Sequence, residues 1–217
     1  MMANVVAVLP LKTKSCRIGE KNFRQLGGKP LYRWALDTVL GLYDDVRVFS
    51  GRETFESLPQ PLQEALGFLD EGEELVREDS IGMHVDIAKL VPRDCRLLTF
   101  HATAPFITKA TYKACVNALD HGYDSALTGT GSHGWIWNEN GELLGGGDPA
   151  KMTPTQHLPK MLNETCGCWV YDPGFLIETH RRVGYKPYLH EVRGCEALDI
   201  NSLEDFEFAA AILNTEG

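Results

Sequence analysis

Long apolar runs are missing from the 217 residues. No stretch of about 18 uncharged apolar residues occurs, which excludes a membrane-spanning helix of ordinary length. Positive charge is scarce: 21 Lys and Arg stand against 30 Asp and Glu, a net charge of −9. That argues against nucleic-acid binding, which needs a basic face to displace counterions. No two of the six cysteines, at 16, 95, 115, 166, 168 and 195, form C-x-x-C. Reduced, mostly buried thiols are expected. Met1 to Pro10 has neither a basic n-region nor a small-residue cleavage site, so a cytoplasmic protein is expected and the Asn163-Glu164-Thr165 sequon is read as chance. Internal repeats and low-complexity segments are also lacking. The 43% of hydrophobic residues suffices for one domain over residues 1–217, with a small arm.

The apolar pattern gives the elements. NVVAVLP, residues 4–10, reads as a buried parallel strand. Residues 11–29 read as a loop, and Pro30 opens a helix with Leu31, Trp34, Ala35 and Thr38 on one face. A strand is expected at Val46 to Ser50, a polar helix around Glu53 to Leu66, and a strand at Arg96 to His101. An amphipathic helix is expected over Thr108 to His121 and a strand over Ser125 to Thr128. Trp135 to Leu144 reads as a hairpin with an Asn140-Gly141 turn, and residues 145–154 as loop. Further strands are expected at Cys168 to Tyr171 and Ala197 to Asn201. A last helix is capped by Ser202 with Asp205, its apolar stripe being Phe206, Ala209, Ala210 and Leu213. The alternation implies an α/β fold: a doubly wound, mostly parallel sheet with helices on both faces. Ligands of such sheets bind at the carboxyl ends of the strands.

The loop after the first strand reverses the local sign of charge. It holds Lys12, Lys14, Arg17 and Lys21 against Glu20 alone. Such a loop can wrap a triphosphate with ammonium and backbone N–H groups; the plainer reading is a solvated basic loop. Asp199 and Asn201, on one face of a strand, suit Mg²⁺, which keeps waters and takes phosphate oxygens as further ligands; the plainer reading is a strand end leading into a cap. His101 ends a strand where ligands bind. Cys166 and Cys168, sharing a strand face, read as core thiols rather than zinc ligands. Gly129-Thr130-Gly131-Ser132-His133-Gly134 matches a dinucleotide fingerprint in letters, but strand-like Trp135-Ile136-Trp137 follows where a helix is required. Gly27-Gly28-Lys29-Pro30 lacks the first glycine and the hydroxyl of a P-loop.

In this order the segments resemble the acylneuraminate cytidylyltransferase family, the CMP-sugar-acid synthetases. The resemblance rests on VVAVLPLKTKSCRIGEKNFRQLGGKPLYRW, LLTFHATAPFIT, Thr155 to Pro159 with Glu164 to Gly167, and EALDINSLEDFEFAAAIL. It implies transfer of CMP from CTP to an anionic acceptor of the nonulosonic or sialic sugar-acid type, with Mg²⁺. A phosphonate acceptor, or a non-catalytic nucleotide-binding relative, is the alternative. Separately, the apolar cluster Trp135, Ile136 and Trp137, in a hairpin that interrupts the βα rhythm, predicts a homodimer paired through an arm at about 131–165; the plainer reading packs the hairpin on its own domain. By the resemblance, Lys12 grips the β- and γ-phosphates, Lys21 serves the α-phosphate, and Asp199 holds Mg²⁺ with Asn201. Leu9, Pro10, Leu11, Ser15, Arg17, Asn22, Arg77 and Ser80 line the nucleotide; His101, Thr103, Gln156, Glu164 and Cys166 line the acceptor. Lys12 replaces the family's arginine, Cys16 a lysine, Asn201 a second acid and Cys166 an asparagine.

Overall fold

The computed structural model describes residues 4–13, 18–72 and 80–215. The strands are β1 (Val5–Pro10), β2 (Gln25–Leu26), β3 (Lys29–Pro30), β4 (Asp45–Ser50), β5 (Gly67–Asp70), β6 (Arg96–Phe100), β7 (Ser125–His133), β8 (Lys160–Tyr171) and β9 (Pro187–Glu191). The α-helices are α1 (Leu31–Leu40), α2 (Arg52–Glu56), α3 (Gln60–Ala65), α4 (Ser80–Lys89), α5 (Lys109–Ala118), α6 (Pro173–Thr179) and α7 (Leu203–Thr215). Seven strands form one sheet in the order β5-β4-β1-β6-β8-β7-β9. Among the described residues, only β8 runs antiparallel to its neighbours in this sheet. β2 and β3 make a separate small ribbon. No helix of the described residues is long and apolar enough to cross a membrane.

The period of two in β1 builds both cores. Ala7 and Leu9, continued by Leu11, face α1, α3 and α5. Val6 and Val8 face the other way, onto α4 and α6. A strand covered on both faces reads as a continuous apolar run. A third, smaller core seats α7, where Phe206 and Ala209 meet Ile18, Leu26, Leu31 and Ile200. The cap of α7 is reciprocal: Asp205 N–H donates to Ser202 Oγ at 3.2 Å, and Ser202 N–H donates to Asp205 Oδ2 at 2.8 Å. The hydrogen bond from Asn201 N–H heads the causes that hold the Asp205 carboxyl below its ordinary range.

Several sequence expectations need correcting. The helix expected over Glu53 to Leu66 is two, α2 and α3, because Pro59 lacks the N–H that would continue the first. On α1 the buried stripe is Leu31, Tyr32, Ala35, Leu36 and Val39; Trp34 and Thr38 are only half-buried on its flank. Ala197 to Asn201 is not a strand. Residues 194–197 form a 3₁₀ turn, and Ile200 N–H bonds the Thr103 carbonyl at 2.8 Å rather than a sheet ladder. The hairpin at 135–144 narrows to one bridge, Trp137 with Leu143. Gly141, at φ 79°, follows its turn instead of centring it. Gly129 and Gly131 of the fingerprint-like segment lie within β7 itself, and Gly134 directly follows it. Of the described cysteines, 95, 115 and 168 are buried, 166 is half-buried and 195 exposed.

Cys166 and Cys168 do not share a face. Cys168 lies in the α1–α5 core and Cys166 packs against the α4–α6 core. The cause is a bulge: Leu127 pairs with Trp169, but Gly129 pairs with Glu164, so β8 carries extra residues opposite Thr128. Cys166 sits in the left-handed region at φ 51°. A bulge re-aims side chains that period two would align.

Candidate functional site

The strand order reverses between β1 and β6: the chain first adds β4 and β5 on one side of β1, then returns to lay β6 on the other. Such a switch point opens a crevice at the carboxyl ends. A cavity of about 220 Å³ lies there, lined by Pro10, Lys12, Lys21, Asn22, Met83, His101, Ala102 and Thr103. Pro10 and Lys12 follow β1, and His101 to Thr103 follow β6. Lys21 and Asn22 belong to a 3₁₀ turn, Lys21–Phe23, and Met83 comes from α4.

Lys21 ties the early loop to the late one. Its side chain is buried, and Nζ donates to the Ile200 carbonyl at 2.7 Å. Ile200 stands between Asp199 and Asn201, so Lys21 from the early loop is bonded to the backbone that carries both. A buried ammonium is costly without such oxygen partners. Asn22 Nδ2 donates to the Lys12 carbonyl at 3.0 Å, pinning the loop backbone.

Asn201 Nδ2 donates to Asp199 Oδ2 at 2.7 Å. Asp199 Oδ1 is enclosed and has no hydrogen-bond partner among the described residues. An enclosed, unspent carboxylate oxygen is a fitting ligand for a hard cation. Among the described residues no group of three or more His, Cys, Asp and Glu is arranged to hold a metal, and Mg²⁺ commonly makes do with one or two carboxylates plus phosphate oxygens.

His101 Nε2 is likewise enclosed and unpartnered among the described residues. Its ring meets Trp169 edge-on, centroids 4.9 Å apart. Burial pushes its pKa down to about 4; Asp199 opposes that shift, and Arg182 and Lys21 add to it. Lys21 and His101 line the same cavity. Burial also raises the Cys166 thiol, with Asp199 and Glu164 adding and Arg182 opposing. Arg182 pairs with both oxygens of Glu164 and stacks over Trp169. Trp169 Nε1 donates to Glu164 Oε1 at 2.6 Å.

The other sequence-derived residues fall as follows. Leu9 and Leu11 are fully buried, and Leu11 N–H is bonded to the Phe49 carbonyl at 2.9 Å. Of the Leu9–Leu11 segment, Pro10 borders the cavity. Thr103 lines it and accepts from Ile200 N–H. Gln156 is exposed on the 3₁₀ turn Thr155–His157, and no hydrogen bond among the described residues ties it to Lys21, His101 or Asp199. Ser80 opens α4. Ser15, Arg17 and Arg77 lie outside the described residues. Sequence reasoning passed over Arg182, Trp169 and Glu71. Arg182 sits in a basic pair after a short helix and Glu71 in an acidic run, and both patterns look like solvated surface.

No protein-family model matches the chain, and no curated protein matches it. Solved structures do. A 4-diphosphocytidyl-2C-methyl-D-erythritol synthase from Anaerococcus prevotii DSM 20548 superposes with a TM-score of 0.71 at 13% identity, over 98% of this chain and 96% of that one. A CMP:2-keto-3-deoxy-manno-octonic acid synthetase, solved complexed with CTP, gives 0.70 at 11% identity, over 99% and 100%. At these identities the likeness is one of fold: a mostly parallel α/β sheet shared from end to end.

Proposed function

We propose that this chain is a CTP-dependent cytidylyltransferase that moves CMP onto a small anionic acceptor, a sugar acid of the nonulosonic type, and releases pyrophosphate. The observation that carries the reading is Lys21: a buried cation at the switch-point crevice, bonded to the carbonyl between Asp199 and Asn201. The fold shared with two enzymes named for cytidylyl products, one solved with CTP, supports it, as does the motif resemblance.

In this reading an acceptor oxygen attacks the α-phosphorus of CTP, and the bond to the pyrophosphate oxygen breaks. Chemistry of this kind is positioning plus electrostatics. Lys21 lies where charge grows on the α-phosphate, and Lys12 holds the β- and γ-phosphates. Asp199 would hold Mg²⁺ through its unspent Oδ1, with Asn201 fixing the carboxylate through Oδ2. Bound there, Mg²⁺ would supply positive charge to phosphate oxygens. His101, Thr103, Glu164 and Cys166 border the acceptor side. Two chains pair through the arm at 131–165.

The test is a pyrophosphate-release screen with Mg²⁺, pairing CTP, ATP, GTP and UTP with sugar acids and phosphonates. Release confined to CTP with a sugar acid supports the reading. Release with phosphonates alone moves the acceptor class, and no release with any pair leaves a nucleotide-binding relative.

A further inference from the structure

Lys12 is held from two sides before any ligand arrives. Its backbone carbonyl accepts from Asn22 Nδ2 at 3.0 Å. Its ammonium lies 3.4 Å from Glu71 Oε1, and the Glu71 side chain is 0% exposed against 31% for Lys12. Glu71 directly follows β5, and its N–H bonds the Ser50 carbonyl at 3.0 Å, extending the β4–β5 ladder. In the order β5-β4-β1 this places Glu71 two strands from the one that Lys12 follows. The lysine stem therefore lies across the end of β4, its flank bordering the 220 Å³ cavity.

The physics of the pair is asymmetric. A buried carboxylate needs a cation near it. A lysine stem carries about 2 kcal/mol of rotamer entropy that a ligand must otherwise freeze out. An ammonium has three donors, so one engaged with a carboxylate still presents others.

We infer that Glu71 is a positioning residue: it braces Lys12 toward the cavity to receive the terminal phosphates of a nucleoside triphosphate. The inference rests on the transfer reading for its substrate, but its test does not require turnover. The probe is inorganic tripolyphosphate, titrated calorimetrically into the full chain with Mg²⁺. Glu71→Ala weakens binding about tenfold, the scale of one charge-assisted contact misplaced. Glu71→Gln keeps an oxygen acceptor and stays within about threefold of wild type. On a Lys12→Met background, Glu71→Ala changes binding less than about twofold, because the group it braced is gone.

Equal losses on both backgrounds overturn the inference, since Glu71 then acts through the fold and not through Lys12. So does an unchanged affinity in Glu71→Ala. Should Lys12→Met fail to fold around the buried carboxylate, the comparison of Glu71→Ala with Glu71→Gln decides alone, and equal losses there count against a brace. Failure to release pyrophosphate from CTP would sink the transfer reading while the tripolyphosphate titration still decides the role of Glu71. In an active enzyme, Glu71→Ala raises KM for CTP and leaves kcat within about twofold, because Lys21 and not Lys12 serves the α-phosphate.

Discussion

In the transfer reading, Lys21 joins catalysis and folding in a single ammonium. In the transfer reading, Lys21→Ala lowers turnover by on the order of 10²–10³, the usual cost of one preorganised electrostatic contact. Lys21→Ala also touches stability: removing Nζ strips the Ile200 carbonyl of its 2.7 Å donor. A buried acceptor left unpaired costs about 1–3 kcal/mol, so urea denaturation of Lys21→Ala reads a loss of that size, and an unchanged midpoint argues against the tether. Asp199→Asn acts differently. It removes a full charge from the proposed cation site, so the Mg²⁺ needed for half-maximal activity rises, while an unaltered Mg²⁺ titration counts against Asp199 as the ligand. His84 supplies a prediction independent of function. It is buried against Tyr171 OH at 2.6 Å, and burial first, then His101 and Arg182, pushes its pKa down to about 3. Unfolded, it titrates near 6.5. Between these values only the unfolded chain binds the proton, so stability falls as pH drops from about 6.5, by about 1.4 kcal/mol per unit for this group. His84→Gln therefore flattens the stability slope between pH 7 and 5 by about that amount, and an unchanged slope contradicts the assignment.

Among the elements, the bulge in β8 was the least legible, and it carries Cys166 of the proposed acceptor side. Thr128 Oγ1 accepts from Thr165 Oγ1 at 3.0 Å and from Gly167 N–H at 3.1 Å, holding the extra residues in place. A Cβ on Gly167 would lie 2.6 Å from Thr128 Oγ1 and 2.7 Å from Ile107 Cδ1. Gly167→Ala is therefore expected to cost about 1–3 kcal/mol by overpacking, read by thermal or chemical denaturation; a wild-type midpoint would mean the clamp gives way freely. No periodic signal announces such a bulge, so period two wrongly aligned Cys166 with Cys168. β1, β6 and α7 were legible because burial on both faces, or a cap with a stripe, leaves marks in the letters. Asp199 and Asn201 were paired for the wrong reason. They meet because Ile200 is captured by Thr103 and Lys21, and a tertiary capture of that kind has no local signature. β5, β9, α4 and α6 are short or mixed in pattern, and their positions follow from the sheet they complete.

At the scale of the whole molecule, the arm carries part of the exposed apolar surface of the described residues, with Tyr185 and Phe208 exposed elsewhere. Trp137 is 49% exposed, Leu144 57% and Met152 76%. Contiguous apolar surface on a lone chain favours association, and the transfer reading places a second chain there. Light scattering at micromolar concentration is expected to give a dimer mass, and Trp137→Glu with Leu144→Glu a monomer; a wild-type monomer removes the arm's proposed role. The likeness to two solved cytidylyl enzymes is one of fold; in the transfer reading the chemistry rests on this chain's own Lys12, Lys21, His101 and Asp199. The most direct measurement incubates the protein with Mg²⁺, CTP and the best acid from the screen, and quantifies pyrophosphate and cytidylylated acceptor together. The account predicts one pyrophosphate for each acceptor that gains CMP, falling by on the order of 10²–10³ in Lys21→Ala. Pyrophosphate without adduct, no pyrophosphate from folded wild-type protein with any acid, or near-normal turnover in Lys21→Ala would contradict it.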